Sequence, residues 1–225
     1  MRPFRLLLPA LLSLLLGACG GYEMRNLAKT DIDLVADEFI EESRNEVREL
    51  LVKLYKRNPD QLAVNPGMTV EGRLAQFRVA RGQLDFAELD GLQGIDAMNL
   101  TFDSEFRGDR VFALVVGLGS MLRQAYGFKP EMFIHDRLNG AALLTSARNV
   151  EILLWKLKHT RKPNGEPYLV TYEYRGVIDN LSFERLFGKL IVLQEMMARI
   201  AGDRGDRAVT RSVHAVSSVF LPMPI

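Results

Sequence analysis

Apolar positions recur every three or four residues in four separate stretches of this chain, the spacing that turns one face of an α-helix toward a core. The first stretch holds Ile32, Val35, Phe39, Val47, Leu50, Leu51 and Leu54 and predicts a helix over about 31–57. Thr30 or Asp31 supplies its N-cap, and Asn58-Pro59 stops it, because the residue before proline avoids the helical region. Asp31, Asp33, Asp37, Glu38, Glu41 and Glu42 crowd its first part, while Lys53, Lys56 and Arg57 close it. That order complements the helix dipole, and the acidic stretch reads as a solvated face. The second stretch, 111–122, has no charged residue. Asp109 caps a helix over about 110–126 and Gly127 ends it. A bilayer span needs about 20 apolar residues, so this is a buried core helix. Ala113, Gly117 and Gly119 give it a small-residue face. Mid-helix glycine costs about 1 kcal/mol relative to alanine, which close approach of a neighbouring helix would explain.

The third stretch, with Leu143, Ala147, Val150, Leu154 and Leu157, predicts a helix over about 141–159. Lys156, Lys158, His159, Arg161 and Lys162 gather at its end, a favourable place for cations near the dipole and also a candidate surface for lipid headgroups. The fourth is capped by Ser182 and carries Phe183, Leu186, Phe187, Leu190, Leu193, Met197 and Ile200 to about 201. Between these lie weaker signals: a helix over about 70–81, short helices near 86–89 and 95–102, and one opened by Pro130 toward Leu138. The run 162–167 is a loop rich in proline and glycine. Residues 168–174 have β-forming side chains but no partner strand, and read as an extended strap over the core. A polar loop at 202–207 precedes a last helix over about 208–219. The fold class expected is all-α, a single irregular bundle of about six to eight helices around 110–126.

The N-terminus follows a different pattern. Arg2 and Arg5 precede an apolar run from Leu6 to Leu16, which closes as Leu16-Gly17-Ala18-Cys19. A positive start, a short apolar run and small residues before a cut are the marks of a secretory leader, and Pro9 works against a stable spanning helix. This segment resembles the signal of bacterial lipoproteins, whose closing motif is a branched aliphatic residue, two small residues and cysteine. The resemblance covers residues 1–19. It implies that residues 1–18 are removed, that the Cys19 sulfur carries a diacylglycerol, and that the new amine is acylated. Two or more chains anchor a protein stably where one does not. Gly20 follows the cysteine where aspartate would retain a lipoprotein at the inner membrane, so the chain resembles the outer-membrane class, facing the periplasm. Residues 19–29 are then anchor and tether, with a reach of at most about 35 Å for ten extended residues, and 30–225 form the helical domain.

Removing 1–18 from 225 residues leaves 207, enough for one sizeable core. The leader carries two arginines and no acid, so Lys plus Arg falls from 29 to 27 against 28 Asp plus Glu, a balance of −1. Neutral charge and a periplasmic address give no argument for nucleic acid. Cys19 is the single cysteine, so the mature domain has no disulfide framework.

Catalytic patterns are sparse. His135, His159 and His214 show no zinc spacing, and no metal or other cofactor is implied. His135-Asp136 is similar to the dyad of metal-dependent phosphohydrolases, without the further ligands that chemistry needs. Glu42-Ser43 matches the dipeptide of lytic transglycosylases, but lies on an acidic helix where a raised pKa is not expected. Ser120 lacks a nucleophile elbow and reads as a small packing residue. Arg148 and Glu151, three apart, form a local pair, and Arg204-Gly205-Asp206 is a tripeptide in a polar loop. Cys19 is the lipid-attachment residue, and Glu42, His135 and Asp136 are the weak catalytic candidates. The expected function is a non-catalytic interaction module held at the membrane through lipidated Cys19, with an envelope protein as partner. A cell-wall or lipid hydrolase, and a small-molecule or lipid carrier with a cavity near Gly117 and Gly119, are the alternatives. Cys19→Ala is expected to move the protein from the membrane to the soluble fraction on cell fractionation; retention in membranes at high salt would refute the anchor.

Overall fold

The computed structural model describes residues 28–79, 84–171, 181–202 and 220–224. Cys19, the last expected helix and Arg204-Gly205-Asp206 lie outside them. Seven α-helices occur in these residues: α1 Asp31–Arg57, α2 Pro59–Ala63, α3 Val70–Val79, α4 Gly94–Leu100, α5 Arg110–Ala125, α6 Gly140–His159 and α7 Ser182–Gly202. A 3-10 turn at Ala87–Leu89 precedes α4. The all-α bundle expected from the apolar pattern is the fold observed.

Four long helices carry the architecture. Tyr55 near the end of α1 bonds Asp109 at the start of α5, so these two run antiparallel. Lys53 reaches Ser182 and Lys189 pairs with Glu46, so α7 is also antiparallel to α1. Lys158 pairs with Glu184, so α6 runs opposite to α7. The packed neighbours α1–α5–α6–α7 close into a ring. Helices α2 to α4 fill the long connection between the first two members.

The capping chemistry is as the side chains dictate. Thr30 and Asp33 form a reciprocal capping box at the start of α1. Asp109 accepts from the Phe112 amide at 2.9 Å and Asn139 from the Ala142 amide at 3.0 Å. Pro59 does more than stop α1. It opens the five-residue α2, because proline is pre-set for the first helical turn. The helix expected from Pro130 toward Leu138 does not form. The Met132 amide donates to Asp37, the Phe133 amide to Asp136 and the Ile134 amide to the Ala28 carbonyl. Those donors are spent outside a helical ladder.

The core has two parts. The larger surrounds α5, with Leu50, Leu54, Phe112, Leu114, Leu118, Leu153, Phe183 and Leu190 fully buried or nearly so. The smaller joins Ile40, Tyr126, Met132, Leu143 and Met197 at the end where the chain enters. Gln194, fully buried, ties three helices together. It donates to the Ser43 hydroxyl and accepts from Ser146, both at 3.2 Å.

Two extended segments are clamped by asparagines. Asn58 accepts from the Val170 amide at 2.7 Å and donates to its carbonyl at 3.0 Å. Asn149 does the same to Leu221, at 2.7 and 2.9 Å. Residues 168–171 of the strap expected over 168–174 lie along the core, with Tyr168, Leu169 and Thr171 buried, and 172–174 lie outside the described residues.

Gly117 explains itself. A Cβ there would sit 2.5 Å from the Met98 amide nitrogen and 2.6 Å from the Gly94 carbonyl oxygen, so α4 lies directly on the α5 backbone. Ser120 supports that contact by accepting from the Gly94 amide at 2.7 Å while donating to the Val116 carbonyl. At Gly119 the nearest atom is the tip of Leu84, 3.2 Å away. Gly117→Ala should thus lower unfolding free energy by about 1–3 kcal/mol in urea denaturation, whereas Gly119→Ala should cost much less. Equal effects would show that α4 does not rest on Gly117.

Candidate functional site

Three polar clusters could carry chemistry, and they lie at different places in the bundle. The first sits where the described chain begins. Lys29 is buried against Asp37 of α1 and Glu131, 2.7 Å away, and its ammonium lies 4.7 Å from the centre of the Phe133 ring. Burial works against its charge, but the two carboxylates outweigh that and hold its pKa above the usual lysine range. Asp136 accepts from Lys129 and, at 3.0 Å, from the Phe133 amide. The Lys129 hydrogen bond is the main reason its pKa lies below the ordinary aspartate value. His135 is largely exposed and stacks on Phe133 at 6.4 Å between ring centres.

The expected candidates therefore do not converge. His135 Nε2 and Asp136 Oδ1 are 3.8 Å apart, but Asp136 is committed to its own loop. Glu42 acts on Lys189 of α7. It lies five residues from Asp37, which is roughly 140° around a helix of 3.6 residues per turn, so it points away from the loop that holds His135. Arg148 and Glu151 form the local pair expected from their spacing. Of the cations at the end of α6, two turn onto the body, Lys158 bonding Glu184 and Lys156 lying over Phe102 and Phe220, while His159 and Arg161 are exposed. They stand at the opposite end of α6 from the chain entry, about 30 Å away at 1.5 Å per residue. That position does not favour the headgroup-facing role.

The second cluster is buried. Arg73, with no exposed surface, forms a two-pronged pair with Glu88 and reaches Asp109 Oδ2 at 3.1 Å. Tyr55 donates to the same Asp109 oxygen at 2.6 Å, and the Arg73 guanidinium stacks 3.8 Å from the Phe112 ring centre. Burial pushes the Asp109 carboxyl up, against the hydrogen bonds from Tyr55 and Phe112 and the charge of Arg73. Every member also fixes a helix position, so the cluster is structural.

The third is a groove between α1 and α5 beside Gly119, where the carrier alternative expected a cavity; its cationic rim is what the chain pattern did not single out. Its floor is apolar, with Ile40, Val47, Phe77, Leu84 and Leu122 around Gly119. Its rim carries Arg44, Arg48, Arg123 and Lys129. Arg44 donates to Glu41 at 3.3 Å and to the Pro130 carbonyl at 3.2 Å. Arg48 donates to the same Glu41 at 3.1 Å. Burial first, then the charges of Arg44 and Arg48, bring the Arg123 pKa down to about 10. Tyr126 closes one side; burial raises its phenol, with Gln194 facing it. The signal available beforehand was Arg44 and Arg48 four apart on one helix face. Their pairing with Arg123, 75 positions on from Arg48, needed the fold.

Among the described residues no cluster of three or more His, Cys, Asp or Glu is arranged to hold a metal ion, and no helix is long and apolar enough to cross a membrane. Neither the protein-family profiles, the curated proteins nor the solved structures compared with the chain give a match.

The Asp136 contacts set a pH dependence. Its folded pKa lies below the ordinary 3.8, so the stabilisation is complete above that value and is lost as pH falls through the lower folded pKa. Wild type should therefore be more stable than Asp136→Asn at neutral pH, with the difference shrinking in acid. Thermal melts across this range would show it, and a difference independent of pH would rule out the charged contact.

Proposed function

We propose that the protein is a lipid-anchored module of the cell envelope, held through Cys19 at the periplasmic face of the outer membrane, which binds a partner protein rather than catalysing a reaction. The observation that carries this reading is the way the chain enters the fold. The Ala28 carbonyl accepts from the Ile134 amide at 3.0 Å, and Lys29 is bonded to both Asp37 and Glu131. A pull on the tether would act on a braced end of the bundle.

The same end supports a surface role. Ile134 is 65 % exposed, the most of any large apolar side chain described, and His135 and Arg137, close after it in the chain, are exposed too. Nine residue steps lead from Cys19 to Ala28, a reach of at most about 32 Å. The bundle would thus stand close to the bilayer and present its helical flanks to neighbours. Val192 and Met196, both exposed and four apart on α7, lie on one such flank. The hydrolase alternative draws no support from Glu42, His135 and Asp136, which face different surroundings.

Crosslinking and pull-down of the lipidated protein from membranes, with Cys19→Ala as control, tests the reading. A specific envelope protein captured by wild type and lost in the control is the expected result. Capture of no partner by either protein would overturn the interaction module.

A further inference from the structure

We propose that the groove between α1 and α5 is a binding site for a single-chain amphiphilic anion, an alkyl chain ending in a carboxylate or phosphate. The chain end would rest on the apolar floor at Gly119, and the charged head would meet Arg44, Arg48 and Arg123, with Lys129, paired with Asp136, at the edge.

The composition of the site argues for both halves of that ligand. The floor is made of aliphatic and aromatic side chains, and at Gly119 the absence of a Cβ lets the tips of Leu84, Phe77 and Val47 close in, 3.2–3.7 Å from where that atom would be. The rim brings cations from three places, α1, α5 and the loop after it. Arg44 and Arg48 share one carboxylate, Glu41, so that pair keeps a surplus of positive charge. A cleft lined by one sign of charge with low-dielectric walls concentrates its field on an incoming counter-ion. Guanidinium groups also match the planar oxygens of carboxylate and phosphate two at a time.

Size sets what is buried. The volume is about 40 Å³, far below the roughly 300–1,000 Å³ of sites that engulf drug-sized ligands. The site therefore takes a chain end and leaves the remainder along the open groove. The surroundings favour a rigid recognition site: Ser43 is held by Gln194, and Arg44 is tied to the Pro130 carbonyl. This inference is independent of the anchor, because the groove belongs to the folded body.

The test uses the leaderless Cys19→Ser chain, titrated below micelle-forming concentration with decanoate, decyl phosphate, decyl maltoside and inorganic phosphate, and followed by amide chemical shifts and calorimetry. The anionic amphiphiles should bind, with shifts centred on Gly119 and Arg123. The uncharged amphiphile and inorganic phosphate should be at least about tenfold weaker, a difference of about 1.4 kcal/mol. A preference between decanoate and decyl phosphate would assign the head group. The double variant Arg44→Gln/Arg48→Gln changes partly exposed rim residues and should lose anion binding by about tenfold or more, with its melting temperature unchanged. Gly119→Val should block the floor and weaken both amphiphilic anions alike. Equal binding of decyl maltoside, equal binding of inorganic phosphate, unchanged affinity in the double arginine variant, or no binding at all would each overturn the proposal.

Discussion

The carboxylate of Asp109 is the point on which the bundle turns. One oxygen caps α5, a long helix buried along nearly its whole length, and the other collects Tyr55 from α1 and Arg73 from α3. Glu88 completes the charge balance by holding Arg73 from its other side. A buried ion pair of this type contributes little net stability compared with well-packed apolar residues, but removing one partner costs about 3–5 kcal/mol, because the other is left buried and uncompensated. The network therefore acts as a register device. It allows α1, α3 and α5 to meet in one way, and the Phe77–Phe86–Phe112 cluster beside it is packed to that arrangement.

With that end fixed, the rest of the molecule divides by polarity. Gln194 marks a polar crossing through the bundle, joined to Ser43 and Ser146. Beyond it lies the smaller core at the end where the chain enters, sealed by Lys29 and the 128–138 loop. The groove opens on the α1–α5 flank beside this crossing. Phe77 of α3 and Leu84 of the segment before α4 line its floor beside Gly119. The two glycines of α5 thus meet different neighbours two residues apart: Gly117 admits a backbone, and Gly119 admits the side-chain tips of Leu84, Phe77 and Val47.

The long helices were legible because their signals are local. Three-and-four spacing on 31–57, 110–125, 140–159 and 182–202 needs no tertiary information, and neither does Asp109 before an apolar run or Asn58 before proline. Gly117 was legible as a packing position for the same reason. The 130–138 segment was misread because its outcome depends on distant groups, Asp37 and Ala28, which take amides that a helix would have used. Glu42 and His135-Asp136 were singled out as dipeptides, and dipeptide spelling carries no information about which way a side chain faces.

What the sequence determined by itself is the helical class, the boundaries of the major helices, the resemblance of residues 1–19 to a lipoprotein signal, and the local Arg148–Glu151 pair. Each depends on residues within a few positions of one another, where helix geometry alone sets the contacts. Only the tertiary structure decided that Arg44, Arg48 and Arg123 share a groove, that Arg73 is a buried structural cation, and that the cations closing α6 stand far from the chain entry. Those are statements about which faces of separate helices meet. Helix packing at long sequence separation settles them, through the buried charges and small residues that permit one arrangement of the ring and exclude the others.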